Sequence, residues 1–145
     1  HIFGCNICQE VCPYNVKAQA TAEAAFGPRQ GLYAPQLIPL LSLTEAQFRE
    51  RFRGSPILRA KRRGFLRNVA VALGNLKSQD AVPALIITLD DVEPLVRGHA
   101  AWALGEIGSA PAGDALQRRL GIETAVAVRA EIEAAIEQLQ CESSL

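Results

Sequence analysis

The sequence predicts an all-α protein: a short cysteine segment leading into a small solenoid of helical repeats. Three observations predict this. From residue 63 the chain repeats itself, Phe65 to Gly74 aligning with Val96 to Gly105 at an offset of 31 residues, and a period of that size marks stacked helical pairs. Three of the four cysteines, Cys5, Cys8 and Cys12, crowd into eight residues near the start. Apolar residues make up 49% and charged residues 21% of 145, enough to bury one ordinary core.

The elements follow in order. Residues 1–17 form the cysteine segment, expected to be poorly anchored where no cluster is bound, and 18–62 form a connector. The connector opens Ala-rich and passes through a loop marked by Phe26, Gly27, Pro28, Gly31 and Pro35. After an apolar stretch at 37–43, Thr44 is placed to cap a helix over 45–53, with Glu45 and Glu50 early in it. Gly54-Ser55-Pro56 ends that helix, and a basic helix is expected from Ile57 or Leu58. Residues 63–140 are the repeats and 141–145 a polar tail.

Each repeat is read as two short helices and two turns. One pair cannot bury its apolar stripe alone, so neighbours must stack. Small residues at Ala70, Ala72, Ala101 and Ala103 permit close helix packing. Gly74 and Gly105 are expected to end their helices in the left-handed conformation. Asp80 and Ala110-Pro111 stand where second helices open. A degenerate third copy runs from Val128 through Ala134-Ala135-Ile136. The pattern over about residues 63–140 resembles short HEAT-type repeats.

No apolar run approaches the roughly 18 residues a membrane helix needs, and the longest candidates are broken by Pro39, Pro83 and Pro111. No membrane partner is expected. The chain contains no Met and begins at His1, which reads as the cut edge of a longer protein. Clustered thiols point to metal rather than to a disulfide framework, and to a reducing, cytoplasmic compartment.

Cys5-x2-Cys8-x3-Cys12-Pro13 has the spacing of the last three cysteines in a bacterial ferredoxin run. Two thiolates separated by two residues reach two corners of one iron–sulfur cube. The cysteine before proline serves a second cluster. Position 2, where a further cysteine would stand, is Ile2. The segment therefore supplies part of two 4Fe–4S clusters, and the remaining ligands lie elsewhere. Three other readings stay open: a zinc site that adds His1, a thioredoxin-like Cys5/Cys8 redox pair, and inert buried thiols. Cys141 reads as incidental.

The run Ile2-Phe3-Gly4-Cys5-Asn6-Ile7-Cys8-Gln9-Glu10-Val11-Cys12-Pro13-Tyr14-Asn15 resembles the second cysteine motif of the epoxyqueuosine reductases, with Tyr14 where that family usually has Trp. The stretch from Arg62 to Asn75 resembles the basic opening of the family's C-terminal repeats, and His99 to Gly105 continues the match. The resemblance implies an oxidoreductase that reduces epoxyqueuosine to queuosine at the wobble position of tRNA, using a cobalamin and two 4Fe–4S clusters. Carried over by position, Cys5 and Cys8 join one cluster and Cys12 the other. The cobalamin pocket, the general acid and five cluster ligands have no counterpart here. The partners implied are the tRNA anticodon region and the missing N-terminal part of the same protein, and the isolated chain is expected to be inactive.

Net charge is zero, yet the charge is unevenly placed. Residues 49–67 hold Arg49, Arg51, Arg53, Arg59, Lys61, Arg62, Arg63 and Arg67 against Glu50 alone. Residues 101–145 set Arg118, Arg119 and Arg129 against seven acids, Glu106, Asp114, Glu123, Glu131, Glu133, Glu137 and Glu142. Arg59, Arg62 and Arg63 have i, i+3, i+4 spacing and would share one helical face. With Lys61 and Arg67 they form a candidate phosphate-binding surface that positions tRNA without reading its sequence. The competing reading is a solvated face paired with Asp90, Asp91 and Glu93. Trp102 is expected in the core. His99 and Asn68 are expected as polar contacts between repeats, and Asn75 as a capping or bridging residue at a turn. Two rival functions remain: a ferredoxin-like electron carrier with a protein-binding HEAT scaffold, and a bare interaction module with vestigial cysteines.

Overall fold

The computed structural model describes residues 2–19, 21–23, 27 and 34–142. All regular structure among them is helical. Helix α1 (Ile7–Glu10) lies in the cysteine segment, α2 (Glu45–Arg51) in the connector, and α3 (Lys61–Asn75), α4 (Val82–Thr88), α5 (Pro94–Ile107), α6 (Ala110–Ile122) and α7 (Val126–Glu142) in the repeats. Short 3-10 turns at Ile38–Ser42, Pro56–Ala60 and Gln79–Ala81 link them. Phe26, Pro28 and Gly31 of the expected loop lie outside the described residues, as does His1.

Helix α5 packs between α3 and α7, while α4 and α6 cover the other side of the stack. The interior is built from small and branched side chains: Leu66, Val69 and Ala70 of α3, Ala100, Ala103 and Leu104 of α5, and Ile132 of α7 are fully buried. Leu85 and Leu116, 31 residues apart in the two outer helices, are buried equivalently. The repeat expected from the sequence is therefore present, with α7 supplying the third copy as one long helix.

The first repeat would expose its outer side if nothing capped it. Phe48 and Phe52 of the connector close that end by packing on Phe65, with ring centroids 4.8–5.6 Å apart in tilted geometry. Thr44 starts α2 as expected and forms a reciprocal capping box with Gln47, at 3.2 Å and 2.9 Å. Such a cap contributes about 1 kcal/mol.

Three expectations are corrected. Gly74 and Gly105 do not end their helices. A Cβ on Gly74 would lie 2.8 Å from Trp102 and 3.0 Å from the Ala103 backbone, and one on Gly105 would lie 2.9 Å from the Ala135 side chain. Both glycines are there for helix-on-helix contact, each against the next repeat. The left-handed stops come later, at Lys77 (φ 49°) and Gly108 (φ 68°). The basic helix is not continuous from Ile57 or Leu58. The 3-10 turn Pro56–Ala60 gives way to α3 through Lys61, whose φ of 56° interrupts the helical run. Finally, the N-terminal segment, expected to be poorly anchored without a cluster, is tied down: Ile2 packs on the core, and Asn68 of α3 donates from Nδ2 to its carbonyl at 2.7 Å.

Candidate cluster segment and nucleic-acid interface

The cysteine segment folds tightly around short-range hydrogen bonds. Gly4 (φ 59°) and Asn6 (φ 55°) flank Cys5 in the left-handed region, so the chain reverses around that thiol. The Asn6 carbonyl then accepts from the backbone of Gln9 at 2.8 Å and Glu10 at 3.0 Å, which closes α1 around Cys8. Asn15 folds back across Cys12 and donates from Nδ2 to the Gln9 carbonyl at 3.0 Å. Cys5 and Cys8 are exposed and Cys12 is half-buried. That removes the reading of inert, buried thiols. Among the described residues no three His, Cys, Asp or Glu side chains converge as a metal cage.

The basic stretch divides into two classes. Arg62 is committed to the fold. Its Nε donates to the Leu43 carbonyl at 2.6 Å and its Nη1 to Asp91 at 3.1 Å, Nη2 pairs with the other Asp91 oxygen, and only 14% of its side chain is exposed. Burial pushes the Asp91 carboxyl up, but the hydrogen bonds from Arg62 and the Glu93 backbone, with the charges of Arg62 and Arg97, hold it below its ordinary value. The expected face of Arg59, Arg62 and Arg63 is therefore not formed. The break at Lys61 separates Arg59 from the helix, and Asp91 draws Arg62 inward. The rival reading, pairing with Asp91, is correct for that one residue.

Arg59, Lys61 and Arg63 form the second class. All three are exposed, and none of their side chains has a hydrogen-bond or ion-pair partner among the described residues. Lys61 and Arg63 line an open groove with Arg49, Thr44 and Glu93. Arg49 is already paired with Glu45 at 2.7 Å, and Arg53 with Glu50. Arg67, half-buried, donates from Nε and Nη2 to the Asn68 Oδ1 at 3.0 Å and 2.9 Å.

The sequence reading missed a buried carboxylate between the repeats. Glu123, 1% exposed, accepts from Arg97 through both oxygens at 2.8 Å, from Arg119 at 2.8 Å, and from the backbone of Thr124 and Ala125. The Arg97 hydrogen bonds, opposed by burial and reinforced by the Ala125 N–H and Arg119, hold its carboxyl far below the usual range. Arg119 continues to Asp90 at 2.8 Å. Nothing in the local sequence marks this carboxylate, since Glu123 is the only acid between Asp114 and Glu131. Trp102 packs partly buried against the core as expected, but His99 bonds its own helix, Nδ1 lying 2.9 Å from the Leu95 carbonyl. Cys141 is exposed near the end of α7.

The two-layer stack defines the class. Residues 56–137 match the family model described as HEAT repeats, and the chain belongs to that family. More particularly, it is similar to the epoxyqueuosine reductases, as its motifs led us to expect. The enzyme of Salmonella typhimurium is 43% identical over 105 residues, 72% of this chain and 27% of its own length. That of Bacillus cereus is 35% identical over 142 residues, 95% of this chain and 37% of its own length. A crystal structure of epoxyqueuosine reductase with a tRNA-Tyr epoxyqueuosine-modified tRNA stem loop superposes with a TM-score of 0.88 at 32% identity, covering 96% of this chain and 37% of that one. The chain thus spans about a third of the length of the relatives it matches. No described helix is long and apolar enough to cross a membrane.

Proposed function

We propose that this chain is the C-terminal part of an epoxyqueuosine reductase, in which the cysteine segment ligates iron–sulfur clusters and the repeats hold tRNA. One observation carries the reading: cysteine motif, basic stretch and repeats occur in one chain whose fold, over 96% of its length, resembles a reductase holding a tRNA stem loop.

The thiolates suit the clusters. Cys5 and Cys8 are exposed, on either side of a left-handed residue that wraps the backbone, and Cys12 follows in a turn closed by Asn15. Soft sulfur donors open to one side suit an iron–sulfur cube whose other corners are held from elsewhere. Cys5 and Cys8 would serve one 4Fe–4S cluster and Cys12 the second. Bound clusters supply one-electron transfer towards the cobalamin, which is held mainly by residues outside this chain. This chain's own contribution is to orient the thiolates and to present cations to RNA.

Arg59, Lys61 and Arg63 are the principal cations for phosphate, with Arg67, bonded to Asn68, one turn further along α3. Arg62 serves indirectly by fixing the start of α3. Their contacts would position the anticodon stem loop rather than read bases. In the intact protein, the double substitution Lys61→Glu, Arg63→Glu is expected to weaken binding of an epoxyqueuosine-bearing stem loop by at least about tenfold at low salt. It should also flatten the salt dependence by about two phosphate contacts. Arg62→Gln should lower the unfolding midpoint and leave that slope intact. Unchanged affinity and slope in the double variant would remove this surface from the account.

A further inference from the structure

We propose that Asn68 is a positioning residue for the cysteine segment, holding the chain that enters Cys5 against α3. This rests on the functional reading above for its consequence, though not for its geometry. The hydrogen bond from Asn68 Nδ2 to the Ile2 carbonyl joins residues 66 apart in sequence. It fixes the Ile2–Phe3 peptide, two residues before the left-handed Gly4 that leads into Cys5. Cys5 and Asn68 line the same open groove, with Ala72 and Asn75 as its floor along α3.

The amide cannot be turned round. Arg67 bonds Oδ1 through Nε and Nη2, and a guanidinium has donors and no acceptor. The Ile2 carbonyl accepts and never donates. A neutral side chain that faces a donor on one side and an acceptor on the other must be an amide or equivalent, and Arg67 fixes which end faces Ile2. Arg67 is itself half-buried, so its side chain is held in place to act as that lock. A core contact would be served by any apolar residue of the same size, whereas this arrangement has polarity and direction.

The substitution Asn68→Asp separates the two bonds. It is nearly isosteric, keeps an acceptor towards Arg67, and places an oxygen against the Ile2 carbonyl where a donor stood. Asn68→Leu removes both bonds while keeping the volume. The experiment is hydrogen exchange at the hydrogen-bonded amides of Gln9, Glu10, Val11 and Cys12 in the intact, cluster-loaded protein, together with the electron paramagnetic resonance spectrum of its reduced form. In the Asn68→Asp protein, exchange at these amides should rise about tenfold. The signal of the cluster served by Cys5 should change, while protection within α5 and α7 stays as in the wild type. Asn68→Leu should behave alike. Wild-type exchange and an unaltered spectrum in both variants would overturn the proposal. If the wild-type protein carries no iron, the functional reading fails separately, and the exchange result alone decides whether Asn68 places the segment.

Discussion

Replacing Glu123 with alanine is expected to destabilise the fold by about 3–5 kcal/mol, the range for removing one partner of a buried ion pair. Glu123 is 1% exposed and neutralises Arg97 and Arg119, whose side chains are only 11% and 16% exposed. Its loss would leave two largely buried guanidinium groups without the carboxylate that lies between them. The loss would also free the N–H groups of Thr124 and Ala125, which start the turn into α7. The cost is cooperative because the carboxylate and its partners tie three helices together. Arg97 belongs to α5, Arg119 to α6, and Arg129 of α7 donates to the carbonyls of Leu120 and Glu123 at 2.8 Å and 3.1 Å. Urea unfolding of the variant at neutral pH measures the effect, and an unchanged midpoint would contradict it. The same carboxylate gives a pH dependence with a definite sign. Its folded value lies below its ordinary value of 4.5. The stability it contributes is therefore fully present above that pH and is lost as pH falls towards the folded value. Glu123→Gln should flatten this acid-side loss, because its side chain does not titrate.

The second large effect is steric. Gly105→Val should cost about 3 kcal/mol, by forcing two packed helices apart. The contact is with main chain as well as side chain: a Cβ at Gly105 would lie 3.1 Å from the Ala135 Cα. Rotamer changes cannot relieve that, since alanine has none. Trimming the partner tests the origin of the cost. Ala135→Gly removes the 2.9 Å methyl contact but leaves the Cα in place, so it should rescue only a small part of the loss. Thermal unfolding of the single and double variants measures both. Full rescue by Ala135→Gly would show that the methyl alone sets the helix spacing. Gly74 stands at the equivalent position one repeat earlier and meets Ala103 in the same way.

The repeats were legible because they are written twice. The offset that aligns Leu85 with Leu116 in sequence also aligns them in burial, so periodicity carried both helix number and core identity. Thr44 was legible for a different reason: capping is chemistry between residues three apart, visible in a short window. The misread residues depend on partners far along the chain. Gly105 looked like a helix stop because glycine near a helix end usually is one, and the real stop stands three residues later at Gly108. Only the path of α7 explains the earlier glycine. Lys61 carries no glycine or proline signal, yet its left-handed backbone divides the basic stretch. Arg62 shares its sequence spacing with Arg59 and Arg63, and only the fold brings Asp91, 29 residues on, beside it.

The cysteine motif lies between these cases. Its spacing raises the expectation of a metal donor set, and Asn15 closing the turn on Gln9 follows from local chemistry. The hold that Asn68 exerts on Ile2 spans 66 residues and left no local mark. Ile2 packs against the core, while Cys5 and Cys8 are exposed and Cys12 is half-buried.

The central claim is that Cys5, Cys8 and Cys12 belong to iron–sulfur clusters. Iron, acid-labile sulfide and zinc contents of the anaerobically purified intact protein, compared with those of its Cys12→Ala variant, test it most directly. The account predicts iron and sulfide in equal amounts in the wild type, and a partial loss of both in the variant because Cys12 serves only one of the two cubes. A wild-type protein that holds zinc and neither iron nor sulfide would contradict it.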